Sequence, residues 1–336
     1  MRVSEARDVA VMLPYAARAR IVEARGRVER AVRTLLHGVT PSWRRLPNAV
    51  PWFDAPDAMA AVPRHAADAA EQALFTQWIR DGYFVASGLV PTADVDEMIA
   101  VLDGLWDAPA PIANLTLLDL RESPDDPPRA RTHAEVLALP AAARARMRAA
   151  SQWRIHGFHY INPAAARLFH HRGLRGIASR LFGRTARPFA AINFMAGSEQ
   201  HVHQDMAVFH IYPHDYLIGA WIACEDISAE SGPLVLHAGS HHAGMFPGFD
   251  DYPQTNLRTA DAETSRAYEA WVNALAQQHP RHQFLARKGD VLFWHGMLLH
   301  GGAPVLRRGL SRKSMVIHYT VRGADRGREV RGPFNW

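Results

Sequence analysis

Hydrophobic positions change their spacing along this 336-residue chain, and the changes divide it. Near the start, Ile21, Val28, Val32, Leu35 and Leu36 recur at helical intervals. Arg18, Arg20, Arg25, Arg27, Arg30 and Arg33 stand among them. The pattern predicts a basic amphipathic helix, whose commoner use is to pack on its own domain with the charged side in water. A proline- and tryptophan-rich stretch over 41–56 reads as an irregular connector, so residues 1–70 form an N-terminal extension. A second helical pattern covers 71–80. Asp81-Gly82 then marks a turn, Tyr83-Phe84-Val85 a short strand, and Pro91-Thr92 the start of a helix reaching about position 106. Residues 107–131, with prolines at 124, 127 and 128, read as a surface loop.

Beyond Arg187 the apolar period shortens to two. Strands are expected at 189–194, 202–209, 217–224, 234–237, 282–286, 291–294 and 314–321, with glycines and prolines between them. Short strands punctuated in this way predict an antiparallel sandwich or barrel: a mainly β fold with flanking helices over 71–325, then a tail at 326–336. One helical insert, about 262–277, interrupts the strands. The wider segment 243–282, carrying Phe246, Phe249, Tyr252 and Trp271, is positioned to serve as a lid.

Composition narrows the class. With 48% hydrophobic and 21% charged residues, the chain has the balance of a globular protein with a sizeable core. No apolar run approaches the roughly 18–20 residues of a membrane span. Glu5 and Asp8 flank only a short apolar patch, so no secretory leader is expected. The single cysteine, Cys224, excludes an internal disulfide framework and cysteine-rich metal sites, and points to the cytoplasm. The net charge of +5 rests on arginine, Lys288 and Lys313 being the only lysines. No basic stripe interleaves with aromatics, so no nucleic-acid partner is expected. The count of 19 histidines prompts a search for metal-ligand spacing.

That search finds His203-Gln204-Asp205. Residues two apart on a strand share a face, so this imidazole and carboxylate can grip one ion from adjacent corners. His300, after a later apolar run and before Gly301-Gly302, supplies a third ligand. Two histidines and a carboxylate with open positions match non-haem iron(II) oxygenases. The same three would also suit a zinc hydrolase, or a jelly-roll protein that binds a metal or small molecule without catalysis. Arg312 follows His300 by twelve residues, and a guanidinium fork there matches a carboxylate co-substrate.

Several motifs in order resemble the phytanoyl-CoA dioxygenase family. They are Asp81-Gly82-Tyr83-Phe84-Val85, Gly88-Leu89-Val90, His203-Gln204-Asp205, Ala220-Trp221, Asp226-Ile227-Ser228, Gly232-Pro233-Leu234, Gly239-Ser240-His241, Lys288-Gly289-Asp290, His300-Gly301, Arg312-Lys313 and His318-Tyr319. The resemblance implies a double-stranded β-helix (jelly-roll) core and Fe(II) held by His203, Asp205 and His300. It implies Arg312 on the distal carboxylate of 2-oxoglutarate, Trp221 lining that pocket, Gln204 beside the metal, and Asn193 reaching the co-substrate. With O2, such an enzyme hydroxylates a C–H bond of a small or carrier-bound metabolite and releases succinate and CO2. Asp205 argues against halogenation, for which relatives lack the carboxylate. Gly302 departs from relatives that carry a serine there. For the substrate, Phe209, Tyr212 and Trp294 offer apolar contacts, and Arg154, His156 and His159 polar ones.

Overall fold

The computed structural model describes residues 50–326 except 210, 214, 250, 251, 253 and 254. The basic helix, most of the connector and nearly all of the tail lie outside the described residues. Within them the chain forms strands β1 (Tyr83–Ala86), β2 (Thr116–Leu120), β3 (Arg129–Thr132), β4 (Arg154–His156), β5 (Ala186–Phe194), β6 (Ile211–Tyr212), β7 (Ile218–Ala223), β8 (Leu234–His237), β9 (Arg281–Phe284), β10 (Val291–His295), β11 (His300–Gly302), β12 (Ser314–Val321) and β13 (Asp325–Arg326). Its helices are α1 (Ala58–His65), α2 (Ala69–Asp81), α3 (Thr92–Gly104), α4 (His133–Leu137), α5 (Ala141–Ala150), α6 (Pro163–Phe169), α7 (Arg172–Phe182), α8 (Met206–Phe209) and α9 (Ala262–Ala276).

Eight strands make one antiparallel sheet in the order β1-β10-β7-β12-β5-β4-β2-β3. Three more make a smaller sheet, β11-β8-β9, which a bridge between His203 and His300 extends by one segment. These two sheets face each other as the jelly-roll. Their shared interior holds Ile192, Phe194, Trp221, Leu292, Trp294 and Val316 from the large sheet, against Leu234, Leu236 and Leu298. While α9 packs with Ala207 and Leu299 beside the smaller sheet, helices α1 to α7 pack on the other face of the large sheet. There Met315, Ile317, Tyr319 and Val321 pack into a larger apolar core. Alternation along β12 makes both interiors possible, and a one-residue slip would exchange them.

The helices pack for reasons visible in their residues. Helix α7 buries Leu174, Ile177, Ala178, Leu181 and Phe182 at helical spacing, and each large side chain contributes about 1.5–3 kcal/mol. Helix α2 is capped by Asp68, whose side chain accepts the Glu71 amide. The Glu71 carboxylate in turn accepts two bonds from Arg180 of α7, at 2.5 and 2.6 Å. The connector also packs here: Phe53 is buried against Trp78, and Asp54 Oδ2 lies 3.1 Å from His295 Nε2.

Two expectations need correction. The expected strand over 202–209 is a single bridge at His203 followed by α8, because the Asp205 carbonyl accepts the amides of Val208 and Phe209 and turns the chain. The expected loop over 107–131 contains β2 and most of β3. Strand β2 extends the large sheet through one pairing, Leu118 with Arg154, while β3 forms the outer edge. No helix among the described residues is long and apolar enough to cross a membrane.

Candidate metal centre and co-substrate pocket

His203 and His300 face each other across their bridge, each donating its amide to the other's carbonyl at 2.9 and 3.1 Å. Their rings are locked by a second bond apiece. His203 Nδ1 donates to the His201 carbonyl at 2.8 Å, and His300 Nδ1 to the Leu298 carbonyl at 2.9 Å. Each Nε2 is thereby left as a lone-pair donor. Both point at Asp205 Oδ1, at 3.7 Å from His203 and 3.6 Å from His300. Ligand atoms about 2.1 Å from one ion at right angles stand about 3.0 Å apart, so a small inward movement completes a three-point grip. All three ligand atoms lie within 4.8 Å of one another, and this is the one such cluster of three or more among the described residues.

The other Asp205 oxygen is occupied. Oδ2 accepts Trp294 Nε1 at 2.9 Å and His318 Nε2 at 3.0 Å. Trp294 reaches it because Gly219 lies beneath the ring: a Cβ there would come within 2.2 Å of the indole. Burial alone would raise the Asp205 pKa, but His318, its hydrogen bond, His300 and His203 together hold it well below the usual carboxylate range. Burial pushes His300 down to about 4, against the pull of Asp205, so its ring is neutral at physiological pH.

Arg312, only 1% exposed, stands at the far end of the same interior. Its Nη2 lies 3.4 Å from Ser198 Oγ, while Nε and Nη1 are buried without a partner. The guanidinium sits over Phe194 and Trp221, at 5.6 and 5.9 Å from the ring centres, and burial lowers its pKa to about 10. Trp221 Nε1 and Ser314 Oγ are likewise buried and unpartnered. Donors in this state cost free energy unless an acceptor joins them. A carboxylate is the acceptor that fits, so a 2-oxo dicarboxylate suits the pocket.

Some expected site residues lie elsewhere. Asn193 pairs with Met315 on the helix side, and its Nδ2 lies 3.3 Å from Met98 Sδ, so it does not enter the inner pocket. Gln204 points away from its neighbours: its Nε2 donates to the carbonyls of Gly244 and Met297, both at 2.9 Å. Its backbone amide donates to Tyr268 Oη of α9 at 2.9 Å, tying the 243–282 segment to the His203-Gln204-Asp205 motif. His159 stacks on Phe169 in the helix layer, and Tyr212 is exposed. Phe209 does reach the site, 4.2 Å from the His318 ring. Arg154 and His156 pair with Phe194 and Ile192, which puts them on the inner face; Arg154 meets Asp119 at 2.8 Å. At Gly302 a side chain is excluded, since a Cβ would lie 2.8 Å from the Glu199 nitrogen. Ser314, His318 and Ser198 had no assigned role from sequence. Counting in twos from Arg312 reaches Ser314 and His318; Ser198 left no signal.

The sequence profile described as Phytanoyl-CoA dioxygenase (PhyH) matches residues 78–314, a span that includes His203, Asp205, His300 and Arg312. The chain belongs to the phytanoyl-CoA dioxygenase family. The peroxisomal phytanoyl-CoA dioxygenase of Homo sapiens is 29% identical over 122 residues, 36% of this chain and 33% of that one. The probable phytanoyl-CoA dioxygenase of Caenorhabditis elegans is 30% identical over 122 residues, 36% of each. The match thus spans about a third of the length of these curated relatives.

Among solved structures, the alpha ketoglutarate dependent carbocyclase SnoK from nogalamycin biosynthesis superposes with a TM-score of 0.53 at 16% identity, covering 83% of this chain and 89% of that one. The epimerase SnoN, crystallised with Fe3+, alpha ketoglutarate and nogalamycin RO, gives 0.52 at 18%, covering 80% and 86%. EctD from S. alaskensis in its apoform gives 0.51 at 20%, covering 82% of each. At these identities the likeness is one of fold, and it agrees with the jelly-roll described above.

Proposed function

We propose that this chain is an iron(II)- and 2-oxoglutarate-dependent oxygenase that hydroxylates a C–H bond of a small or carrier-bound metabolite, with release of succinate and CO2. The observation that carries the reading is a pairing within one interior. Three convergent ligand atoms stand at one end, and a buried guanidinium without a carboxylate stands at the other. A zinc hydrolase would leave that guanidinium without a task, and succinate formation separates the oxygenase from a passive binding protein.

His203, Asp205 and His300 would hold the metal, and Arg312, with Trp221 and Ser314 beside it, the distal carboxylate of the co-substrate. Bound there, iron(II) and 2-oxoglutarate supply the oxidising chemistry toward O2. The protein's part is geometric and electrostatic. Backbone carbonyls fix both histidine tautomers, and Trp294 and His318 aim Asp205 so that Oδ1 alone faces the ion. Phe209, Trp294 and Leu298, all buried, keep water from the reacting centre. Gln204 braces the ligand segment instead of touching co-substrate, and the inner face carrying Arg154 and His156 is where the substrate's polar end would lie.

The test is succinate release from 2-oxoglutarate by iron-loaded protein. Asp205→Ala should remove turnover by at least about a thousandfold, since a missing ligand leaves the ion ungripped. Product mass then separates oxygen insertion from epimerisation or ring closure. Iron bound with no succinate formed under any substrate tried would sink the oxygenase reading, and recovery of zinc in place of iron would favour the hydrolase.

A further inference from the structure

Behind Arg312 lies a second cavity, of about 580 Å³, to which no metal-centre residue contributes. Its walls are the end of α5, residues 151–153 leading into β4, and the two connections 195–199 and 305–313. We propose that this groove binds a small organic phosphate, a ligand distinct from the oxygenase substrate and co-substrate.

Charge carries the argument. Arg121, Arg148, Arg308 and Lys313 line the groove against only two carboxylates, Asp103 and Glu199. Both acids are engaged. Asp103 takes Lys313 Nζ at 2.7 Å with Arg148 at 4.0 Å, while Glu199 accepts the Val305 amide at 2.9 Å and the Gln152 side chain. Arg308 has no acidic partner among the described residues. The Arg121 guanidinium donates to the Asp126 carbonyl and meets no carboxylate among the described residues. Two guanidinium groups are thus left without a carboxylate around a concave space, and their forks match phosphate oxygens.

The rest of the lining suits an organic rather than a bare phosphate. Trp153, Met195, Val305 and Leu310 give an apolar wall, and the volume falls in the range of small-molecule sites, about 300–1,000 Å³. The end of α5 does not repel an anion with its Met147 carbonyl, because Ser151 Oγ covers that oxygen at 2.6 Å. The groove also touches the co-substrate end of the protein. Ser311 and Lys313 flank Arg312, and Glu199 follows Ser198, whose Oγ lies 3.4 Å from Arg312 Nη2. Occupancy here would therefore bear on how Arg312 is held, and by linkage co-substrate would bear on phosphate binding.

The inference does not depend on iron, so it is tested by calorimetric titration of the full chain with ADP, and separately with inorganic phosphate, at low ionic strength. Arg148 and Arg308 are solvent-facing, so an Arg148→Ser/Arg308→Ser variant should keep its fold, checked by circular dichroism. Saturable ADP binding that weakens at least about tenfold in this variant, and stays unchanged in Arg307→Ser outside the groove, is the expected result. No binding to the wild type would overturn the proposal, as would equal loss in Arg307→Ser. Inorganic phosphate binding as tightly as ADP would overturn the organic part and leave a plain anion site.

Discussion

Strand β12 separates two interiors, and they differ in what they leave unsatisfied. On the helix side Met315, Ile317 and Val321 meet apolar neighbours. The unpartnered polar atoms there include neutral ones such as Trp78 Nε1, Tyr319 Oη and Asn193 Oδ1. On the inner side the chain buries a whole guanidinium, Arg312, with two unpartnered nitrogens, and a carboxylate, Asp205, with one oxygen held free for an ion. A buried neutral donor costs a few kcal/mol at most, whereas a buried charge costs far more unless paired. One face of the sheet is therefore arranged for stability. The other carries a standing cost that only a ligand removes, and this is the physical mark of a working site.

Paired substitutions on the two faces sharpen that contrast. Ile317→Ala, on the helix side, should lower stability by about 2–5 kcal/mol in a denaturant melt while succinate formed per folded molecule stays the same. Arg312→Met should do the reverse: the melt is held or improved, and the KM for 2-oxoglutarate rises about 10–100-fold, the worth of a charge-assisted hydrogen bond. If Arg312→Met destabilised as much as Ile317→Ala, the division between the faces would fail. A smaller effect is expected from Trp294→Phe, which keeps the ring over Gly219 and deletes one bond to Asp205. Iron affinity should drop about tenfold, read by competition with a chelator.

Acid probes the inner face more gently. Burial, with Arg154, Arg258 and His318 adding to it, pushes His156 from 6.5 to about 3. Burial likewise holds His300 at about 4. Both rings fold neutral, so the unfolded chain takes up protons first as the pH drops. The stability tied to these rings is whole above pH 6.5 and is lost progressively as pH falls toward 4 and 3. His295 works the other way: despite burial, Asp54 raises its pKa, so its contribution is present below 6.5 and lost as pH rises through the folded value. Denaturation midpoints of apo protein at pH 7.5, 6 and 5 should decline, and more steeply in Asp54→Asn.

Much of the inner architecture was legible in the residues. Strands β7, β8, β10 and β12 are runs of branched and aromatic side chains bounded by glycine or polar turns, and they stand within a residue or two of their expected bounds. The cluster of His203, Asp205 and His300 was legible because two sit two apart and the third follows an apolar run. The segment from 107 to 182 was not. Strand β3 (Arg-Ala-Arg-Thr) is an edge strand facing water on most of its length, so no hydrophobic period marks it. Asn193 was misplaced by one position of parity. Ile192 and Phe194 face inward and Asn193 between them cannot, but only the register with Met315 reveals it. The turn at Asp205 was hidden because the residues after it, Met206 to Phe209, suit a strand or a helix equally.

The hydrogen bond from the Gln204 amide to Tyr268 has a meaning for redesign and for descent. The segment 243–282 is not a cassette to be exchanged at will. Through Tyr268 and the Gly244 carbonyl it shares anchorage with the segment that carries His203 and Asp205. A graft that brought a new lid without an acceptor at both places would trade metal retention for altered selectivity. Lineages that diversify their substrates through this segment are thus expected to keep those two contacts while everything around them drifts.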